Sequence, residues 1–88
     1  MILIQFTTAD CNPCSILKLS MEQVPLPKGV ELAVVNLKTA SPMTSSYNVR
    51  TVPTLILTTD AYQELGRTTG AKTPKQLGDW YKEMGLEI

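Results

Sequence analysis

The sequence predicts an α/β fold in which a small mixed β-sheet is covered by helices on both faces. Two apolar, β-rich runs in the first half are separated by a helix-like segment, which is the order of a βαβ unit. Two further strand-like runs lie close together in the second half, and an amphipathic helix ends the chain. The predicted element order is therefore β-α-β-(α)-β-β-α.

Size and composition limit the possible functions. The chain has 88 residues, which suits a single domain over residues 1–88 with one modest core. Eight basic and eight acidic residues cancel, so nucleic-acid binding through bulk charge is not expected. No apolar run approaches the ~20 residues that span a membrane, and no signal peptide is visible. We expect a cytoplasmic monomer that contacts no membrane.

The first predicted strand is Ile2 to Phe6, an almost continuous apolar run typical of a strand that is buried on both faces. A polar break, Thr7 to Asp10, separates it from a helix predicted over Asn12 to Val24. Pro13 falls in the first turn, where a helix tolerates proline, and Pro25 ends the helix.

A second strand is predicted over Val30 to Asn36. Because a helix joins the two runs, these strands should be parallel with a right-handed crossover. The segment Thr39 to Tyr47 is polar, and Ser41-Pro42 provides a start for one short helix there.

The next two strands form a predicted hairpin. Pro53 precedes a strand over Thr54 to Thr59, Asp60-Ala61 forms a tight turn, and Tyr62 to Thr68 returns antiparallel. The last helix then has Thr73 as N-cap and Pro74 as first residue. Its apolar positions fall at i, i+3, i+4 and i+7 and form a single stripe: Leu77, Trp80, Tyr81 and Met84.

The chain's only two cysteines lie three positions apart in Cys11-Asn12-Pro13-Cys14. Three residues make about one helical turn, so the two sulfurs can meet. The short loop between them suits a disulfide that forms and breaks better than a structural crosslink. A zinc site is less favoured because structural zinc usually has four ligands and the chain has no histidine. A shared iron–sulfur cluster and a purely structural pair remain as alternatives, and we expect no metal.

With these elements, four local matches make the chain similar to the thioredoxin superfamily. They are the cysteine motif, the segment Val49 to Thr54, Thr69-Gly70-Ala71, and the terminal helix from Gln76. The resemblance covers nearly the whole chain and implies a thioredoxin-like fold with sheet order 2-1-3-4. It implies a trimmed member without the N-terminal strand and helix of full-length thioredoxins, similar to small redoxins of bacteriophages.

The resemblance implies a thiol–disulfide oxidoreductase that reduces protein disulfides. Cys11 would be the nucleophile, because unpaired N–H groups and the helix dipole favour a thiolate there. Cys14 would resolve the mixed disulfide, and no cofactor other than the Cys11–Cys14 disulfide/dithiol is expected. A thioredoxin reductase-like enzyme or glutathione would restore the dithiol. The Val52-Pro53 bond would be cis, and Val52, Pro53 and Gly70 would bind substrate.

The chain departs from the family pattern near the motif. The family's buried acid is replaced by Gln5, which accepts no proton at neutral pH, and its lysine partner aligns with Val34. Asp10 replaces the aromatic residue before the first cysteine and should disfavour the Cys11 thiolate. Asn12 and Pro13 should tune the redox potential. These departures leave the resolution step and the choice of partner open.

Two other functions remain open. A glutaredoxin-like, glutathione-dependent oxidoreductase fits the chain length, but Thr68 to Lys72 lacks the Gly-Gly and acid that follow the hairpin in glutaredoxins. A non-catalytic thioredoxin-fold binding module would use the edge at Val52-Pro53 and would not need two thiols at this spacing.

Overall fold

The computed structural model describes residues 1–39 and 42–87. Within these residues the elements follow the predicted order: β1 (Ile2–Thr7), α1 (Asn12–Gln23), β2 (Glu31–Asn36), α2 (Pro42–Ser46), β3 (Thr54–Thr58), β4 (Glu64–Thr69) and α3 (Pro74–Glu83). The predicted α/β class is confirmed. Ser41, offered as a start of the short helix, lies outside the described residues, and α2 begins at Pro42.

The four described strands form one mixed sheet in the order β2-β1-β3-β4. β1 pairs in parallel with β2 and antiparallel with β3, and β3 pairs antiparallel with β4. The predicted order 2-1-3-4 is confirmed, as is the internal position of the strand that leads into the cysteine motif. Because β1 is internal, its residues Leu3 to Phe6 are all buried.

Alternation along the strands divides the core between two faces of the sheet. One face carries Leu3, Leu55 and Leu57 under α1 and α3; its other buried members are Leu17, Val30, Leu77, Trp80, Tyr81 and Leu86. The opposite face carries Ile4, Phe6 and Ile56 with Val49, and Met43 and Tyr47 from the α2 region pack against them. Helices on both faces are thus confirmed.

Several element ends differ from the prediction for local reasons. α1 ends at Gln23 rather than Val24, because Val24 is the C-cap with extended dihedral angles (φ −106°, ψ 114°). The residue before a proline is pushed out of the helical region, and Pro25 follows directly. β1 continues one residue further, to Thr7, whereas β2 begins at Glu31 and β3 ends at Thr58.

The predicted turn at Asp60-Ala61 is too short. Tyr62 lies in the left-handed region (φ 63°) and belongs to the turn, so β4 begins at Glu64 rather than Tyr62. The Thr59 N–H donates to the Gln63 carbonyl at 2.9 Å, and the Thr59 Oγ1 accepts the Ala61 and Gln63 N–H groups at 3.2 Å each. Side-chain bonding by Thr59 therefore widens the connection.

α3 begins as predicted, with Thr73 as N-cap and Pro74 in the first turn. The Thr73 hydroxyl accepts the Gln76 N–H at 3.1 Å, and the Gln76 side chain accepts the Thr73 N–H at 2.9 Å. This is a capping box, a Thr-x-x-Gln pattern that the sequence already displays.

Candidate redox site

Cys11 and Cys14 are joined by a disulfide at the N-terminus of α1, with 5.2 Å between their Cα atoms. Cys11 is the N-cap residue, and its sulfur accepts the Cys14 N–H at 3.2 Å. The polar break after β1 lets the chain leave the sheet, and Pro13 fits the first turn because its missing N–H has no helical partner there. The local sequence thus places one sulfur at the positive end of the helix dipole.

The two sulfurs differ in access. Cys14 is 3% exposed, whereas Cys11 is partly exposed, and Asn12 and Pro13 beside it are exposed. A disulfide of another molecule can therefore approach Cys11 but not Cys14. This asymmetry suits a couple in which one cysteine attacks a substrate and the other completes the exchange.

The Val52–Pro53 segment lies at the same end of the sheet as the cysteines. Phe6 near the end of β1 pairs with Thr54 at the start of β3, so the connections that follow and precede them share one edge. The Val52–Pro53 peptide bond is cis, and Pro53 is buried while Val52 is half-buried. The Gly70 N–H donates to the Pro53 carbonyl at 2.9 Å, which ties the end of β4 to this turn.

Gly70 has a backbone conformation that other residues rarely adopt, with φ +88° and no atom within 4 Å of the position of a Cβ. Its role here is thus conformational: the left-handed geometry aims its N–H at Pro53. The structure brings Val52, Pro53 and Gly70 together, and their contact with substrate remains a prediction.

An open cavity of about 550 Å³ lies behind Cys14, between α1 and β2. We call it the α1–β2 cavity. Its lining, from the strands, the loop before Cys11 and α1, comprises Gln5, Thr7, Thr8, Ala9, Cys14, Ser15, Lys18, Met21, Glu22, Leu32, Val34 and Asn36. Although Cys14 is almost entirely shielded from outside, it therefore borders a space that reaches solvent.

Gln5 lies on β1 at the floor of this cavity and is 6% exposed. Its register partners are Val34 on β2 and Leu55 on β3. Val34 is 60% exposed and Leu55 fully buried, and neither carries a charge. The two positions that hold the acid and the lysine in the resemblance are adjacent, as expected, but both are uncharged.

Asp10 precedes Cys11 in the exposed loop, and its side chain is 91% exposed. One carboxylate oxygen lies 3.8 Å from the Lys38 Nζ, whose side chain is 69% exposed. A surface pair of this kind contributes at most about 1 kcal/mol. The positive charge of the neighbouring Lys38 ammonium therefore opposes the predicted effect of the Asp10 carboxylate on the Cys11 thiolate.

Sequence reasoning missed two features of the site. The Ser20 hydroxyl on α1 donates to the Lys72 carbonyl at 2.5 Å, and the Lys72 ammonium donates to the Thr69 carbonyl at 2.5 Å. These bonds fix the segment around Gly70 against α1, and nothing in the sequence indicates a contact across 52 residues. The second feature is Lys18, which lines the α1–β2 cavity; its spacing of four from Cys14 indicates a shared side of α1 but not the cavity itself.

Within residues 1–39 and 42–87, no group of three or more histidine, cysteine, aspartate or glutamate side chains is arranged to hold a metal ion. No helix in the same ranges has the length and apolar character needed to cross a bilayer.

Comparisons with known proteins agree with this architecture. The family model for thioredoxin matches residues 1–83. The SPbeta prophage-derived thioredoxin-like protein YosR of Bacillus subtilis (strain 168) is 30% identical over 84 residues, which cover 96% of this chain and 99% of that protein.

Solved thioredoxin structures share the fold. A mutant thioredoxin from Halobacterium salinarum is 24% identical with a TM-score of 0.78, covering 99% of this chain and 76% of that chain. A Malassezia sympodialis thioredoxin is 21% identical with a TM-score of 0.77, covering 94% of this chain and 73% of that one.

A thioredoxin domain that carries a Cys-x-x-Cys pair at disulfide distance supports thiol–disulfide oxidoreductase chemistry in general. Members of the family act on disulfides of proteins and use the cysteine pair itself in place of a bound cofactor. The match over residues 1–83, the prophage-derived relative and the shared sheet order lead to one conclusion: this chain belongs to the thioredoxin family.

Proposed function

We propose that this chain reduces disulfide bonds in proteins, with Cys11 as the nucleophile and Cys14 as the resolving cysteine. The observation that carries the proposal is the difference in access between the two bonded sulfurs at the start of α1, with Cys14 only 3% exposed. An accessible thiol at a helix N-terminus is favoured as a thiolate, which is the reactive form.

The reaction starts from the dithiol. The Cys11 thiolate attacks one sulfur of a substrate disulfide, forms a mixed disulfide and releases the other substrate sulfur as a thiolate. Cys14 then loses its proton and attacks the Cys11 sulfur, which releases the second substrate thiolate and leaves the Cys11–Cys14 disulfide. Two electrons pass to the substrate, and a thioredoxin reductase-like enzyme or glutathione supplies them back.

The substrate chain would lie along the edge formed by Val52 and Gly70. The half-buried Val52 precedes a buried proline whose carbonyl is already bonded to Gly70, so the Val52 backbone is the part of this turn that is available. Pairing with an extended substrate as a short added strand would align its disulfide with Cys11. A reducing compartment such as the cytoplasm keeps such a couple working as a reductant.

Insulin reduction driven by dithiothreitol tests the proposal. The protein should accelerate the precipitation of reduced insulin chains, and Cys11→Ser should return the rate to that of dithiothreitol alone. When reduced Cys14→Ser protein is mixed with insulin in the absence of dithiothreitol, it should instead accumulate a mixed disulfide with the substrate, visible as a mass increase that later addition of dithiothreitol removes. Ser15→Ala, which leaves both thiols, is the matched control.

Two outcomes would contradict the proposal. Activity that survives Cys11→Ser would remove the assigned roles. Reduction of a small glutathione mixed disulfide, without insulin reduction and without any response to thioredoxin reductase, would favour the glutaredoxin-like function instead.

A further inference from the structure

We propose that Lys18 replaces the missing buried charges of the site and stabilises the thiolate of Cys14 through the α1–β2 cavity. Lys18 would thus be a positioning residue for the resolution step, acting through Cys14 and not on the substrate. The inference rests on the proposed dithiol function and concerns only its second step.

The geometry places Lys18 beside Cys14. The two residues are four apart on α1, a spacing that puts their side chains on the same side of the helix, with Cβ atoms about 5–6 Å apart. Both line the α1–β2 cavity, which is bordered at its floor by Gln5. Within the part of the chain that the structure describes, the Lys18 ammonium has no ion pair or hydrogen bond, so its charge is not neutralised by a direct contact.

The other charges around Cys14 are few. α1 also contributes Glu22 to the cavity, eight positions from Cys14 and therefore about one turn further away than Lys18. The cavity-lining residues of β1 and β2 are uncharged: Gln5, Thr7, Leu32, Val34 and Asn36. In the loop before α1, Asp10 lies near Lys38, which offsets it. Lys18 is thus the cationic side chain among the residues that line this cavity.

The resolution step requires this help because Cys14 is buried. Burial in apolar surroundings raises the pKa of a thiol, which leaves little thiolate at neutral pH. Gln5 cannot take the proton of Cys14, so the proton must leave through the cavity to water. The Lys18 side chain is exposed, lines the same cavity and lies on the same side of α1, so its positive charge should favour the Cys14 thiolate over the thiol.

The proton and electron balance is unchanged by Lys18, which stays protonated throughout. Cys14–SH gives its proton to cavity water, and the Cys14 sulfur forms a bond to the Cys11 sulfur as the Cys11–substrate bond breaks. The substrate sulfur leaves with the bonding pair. Lys18 changes only the fraction of Cys14 present as thiolate.

The effect on rate has a characteristic pH dependence. A cation that raises the thiolate fraction of Cys14 about threefold at neutral pH also makes each thiolate a weaker nucleophile, with a Brønsted coefficient of about 0.4–0.5. At pH values where Cys14 is mostly a thiol, Lys18 should make the second step about twofold faster. At alkaline pH, where Cys14 is fully ionised in both the wild type and Lys18→Met, Lys18 should make it slower. The rate profiles of the wild type and of Lys18→Met should therefore cross.

Stopped-flow reaction of the reduced protein with a limiting amount of the aromatic disulfide DTNB separates the two steps. Attack by Cys11 releases the first thionitrobenzoate, and attack by Cys14 on the resulting mixed disulfide releases the second. We expect Lys18→Met to slow the second phase about twofold near pH 7, to leave the first unchanged, and to cross the wild-type profile at alkaline pH. Lys18→Arg should retain the wild-type profile, and Glu22→Gln should shift it slightly in the opposite direction.

Controls distinguish this effect from others. Lys28→Met makes the same charge change on an exposed lysine outside the cavity and should leave both phases unchanged. Raising the salt concentration from about 10 mM to about 1 M shortens the Debye length from ~30 Å to ~3 Å and should shrink the difference between wild type and Lys18→Met. In the Cys11→Ser background, the NMR titration of the Cys14 Cβ should move to higher pH with Lys18→Met.

A second phase that slows equally at every pH, or that Lys28→Met slows as much as Lys18→Met, would overturn the inference while leaving the dithiol mechanism intact. If the wild-type protein shows no first phase, so that Cys11 does not attack the disulfide, the proposed function itself is contradicted.

Discussion

At the scale of single residues, Tyr81 shows how burial changes chemistry away from the redox site. Its side chain is fully buried among the residues under α1 and α3, and within the described residues its hydroxyl has no hydrogen-bond partner. Burial raises the pKa of the Tyr81 phenol above its usual value of 10.0, because the charged phenolate is poorly solvated there.

Tyr81→Phe should therefore leave the free energy of unfolding unchanged at neutral pH or increase it by up to about 1 kcal/mol, because an unpaired buried hydroxyl carries a desolvation cost. In the wild type, the pKa of the Tyr81 phenol is higher in the folded state than in the unfolded state. Its contribution to the free energy of unfolding is therefore complete below pH 10 and is lost as the pH rises through the folded-state pKa. Urea unfolding between about pH 8 and pH 11 should show a smaller alkaline loss in Tyr81→Phe.

Tyr62→Phe is the control for this measurement, because Tyr62 is 50% exposed. It should follow the wild-type alkaline profile. A Tyr81→Phe protein that is less stable by more than about 1 kcal/mol at neutral pH would show that the hydroxyl is bonded after all.

At the same scale, the cysteine pair was predictable from sequence because a spacing of three is a local property. Its burial asymmetry follows from where the helix begins, which Pro13 and the polar break also indicate. The role of Lys18 could be predicted only in part. Its spacing from Cys14 is a local property, but the cavity that both residues line depends on how α1 packs over the sheet. The Ser20–Lys72 hydrogen bond has no local signal at all.

At the scale of elements, β1 and β2 look alike in sequence but differ in burial. Both are apolar runs, yet β1 has four consecutive buried residues, whereas Leu32 and Val34 on β2 are 41% and 60% exposed. Sheet order explains the difference, because β2 has a strand on only one side in the described sheet. Apolar residues on β2 therefore contribute less to stability than their sequence suggests.

Two substitutions test this contrast. Val34→Thr removes little buried surface and should change the free energy of unfolding by less than about 0.5 kcal/mol. Leu55→Ala, on β3 two strands away, empties a fully buried position and should cost about 2–5 kcal/mol. Urea denaturation of both variants checks the expectation; a cost for Val34→Thr near that of Leu55→Ala would mean that β2 is covered in solution.

The short helix α2 is held by a neighbouring strand more than by its own length. The Arg67 guanidinium on β4 donates to the Tyr47 carbonyl just after α2 at 2.8 Å and pairs with Glu64 at 2.6 Å. The hydrogen bond from Arg67 lowers the pKa of the Glu64 carboxyl. The pKa of the Tyr47 phenol is raised, mainly by burial. A helix of five residues is marginal alone, so these contacts explain its presence in a polar segment.

At the scale of the whole molecule, one sheet separates two small hydrophobic cores, one on each face. The larger lies under α1 and α3 and the smaller lies on the α2 side, and both depend on β1 and β3. Since neither face can bury its side chains without the shared strands, we propose that residues 1–88 fold as a single domain.

This proposal predicts a single cooperative transition. Fluorescence of Trp80, which is 7% exposed on the α1 and α3 face, should change with the same midpoint in urea as the far-UV circular dichroism of the whole chain. Amide hydrogen exchange at Ile4 and Leu57, whose side chains face opposite sides, should give the same opening free energy. Separate midpoints would indicate that the two faces unfold independently.

Local sequence patterns are enough to predict the order of the elements, the N-cap of α3 and the cysteine pair at a helix start, because each depends on residues within about one or two turns of one another. Three features depend on the packed chain: the exposure of the apolar residues on β2, the widening of the hairpin turn around Thr59, and the cavity that Lys18, Gln5 and Cys14 line together. These features join residues distant in the chain, and their side chains acquire neighbours only when the helices pack against the sheet.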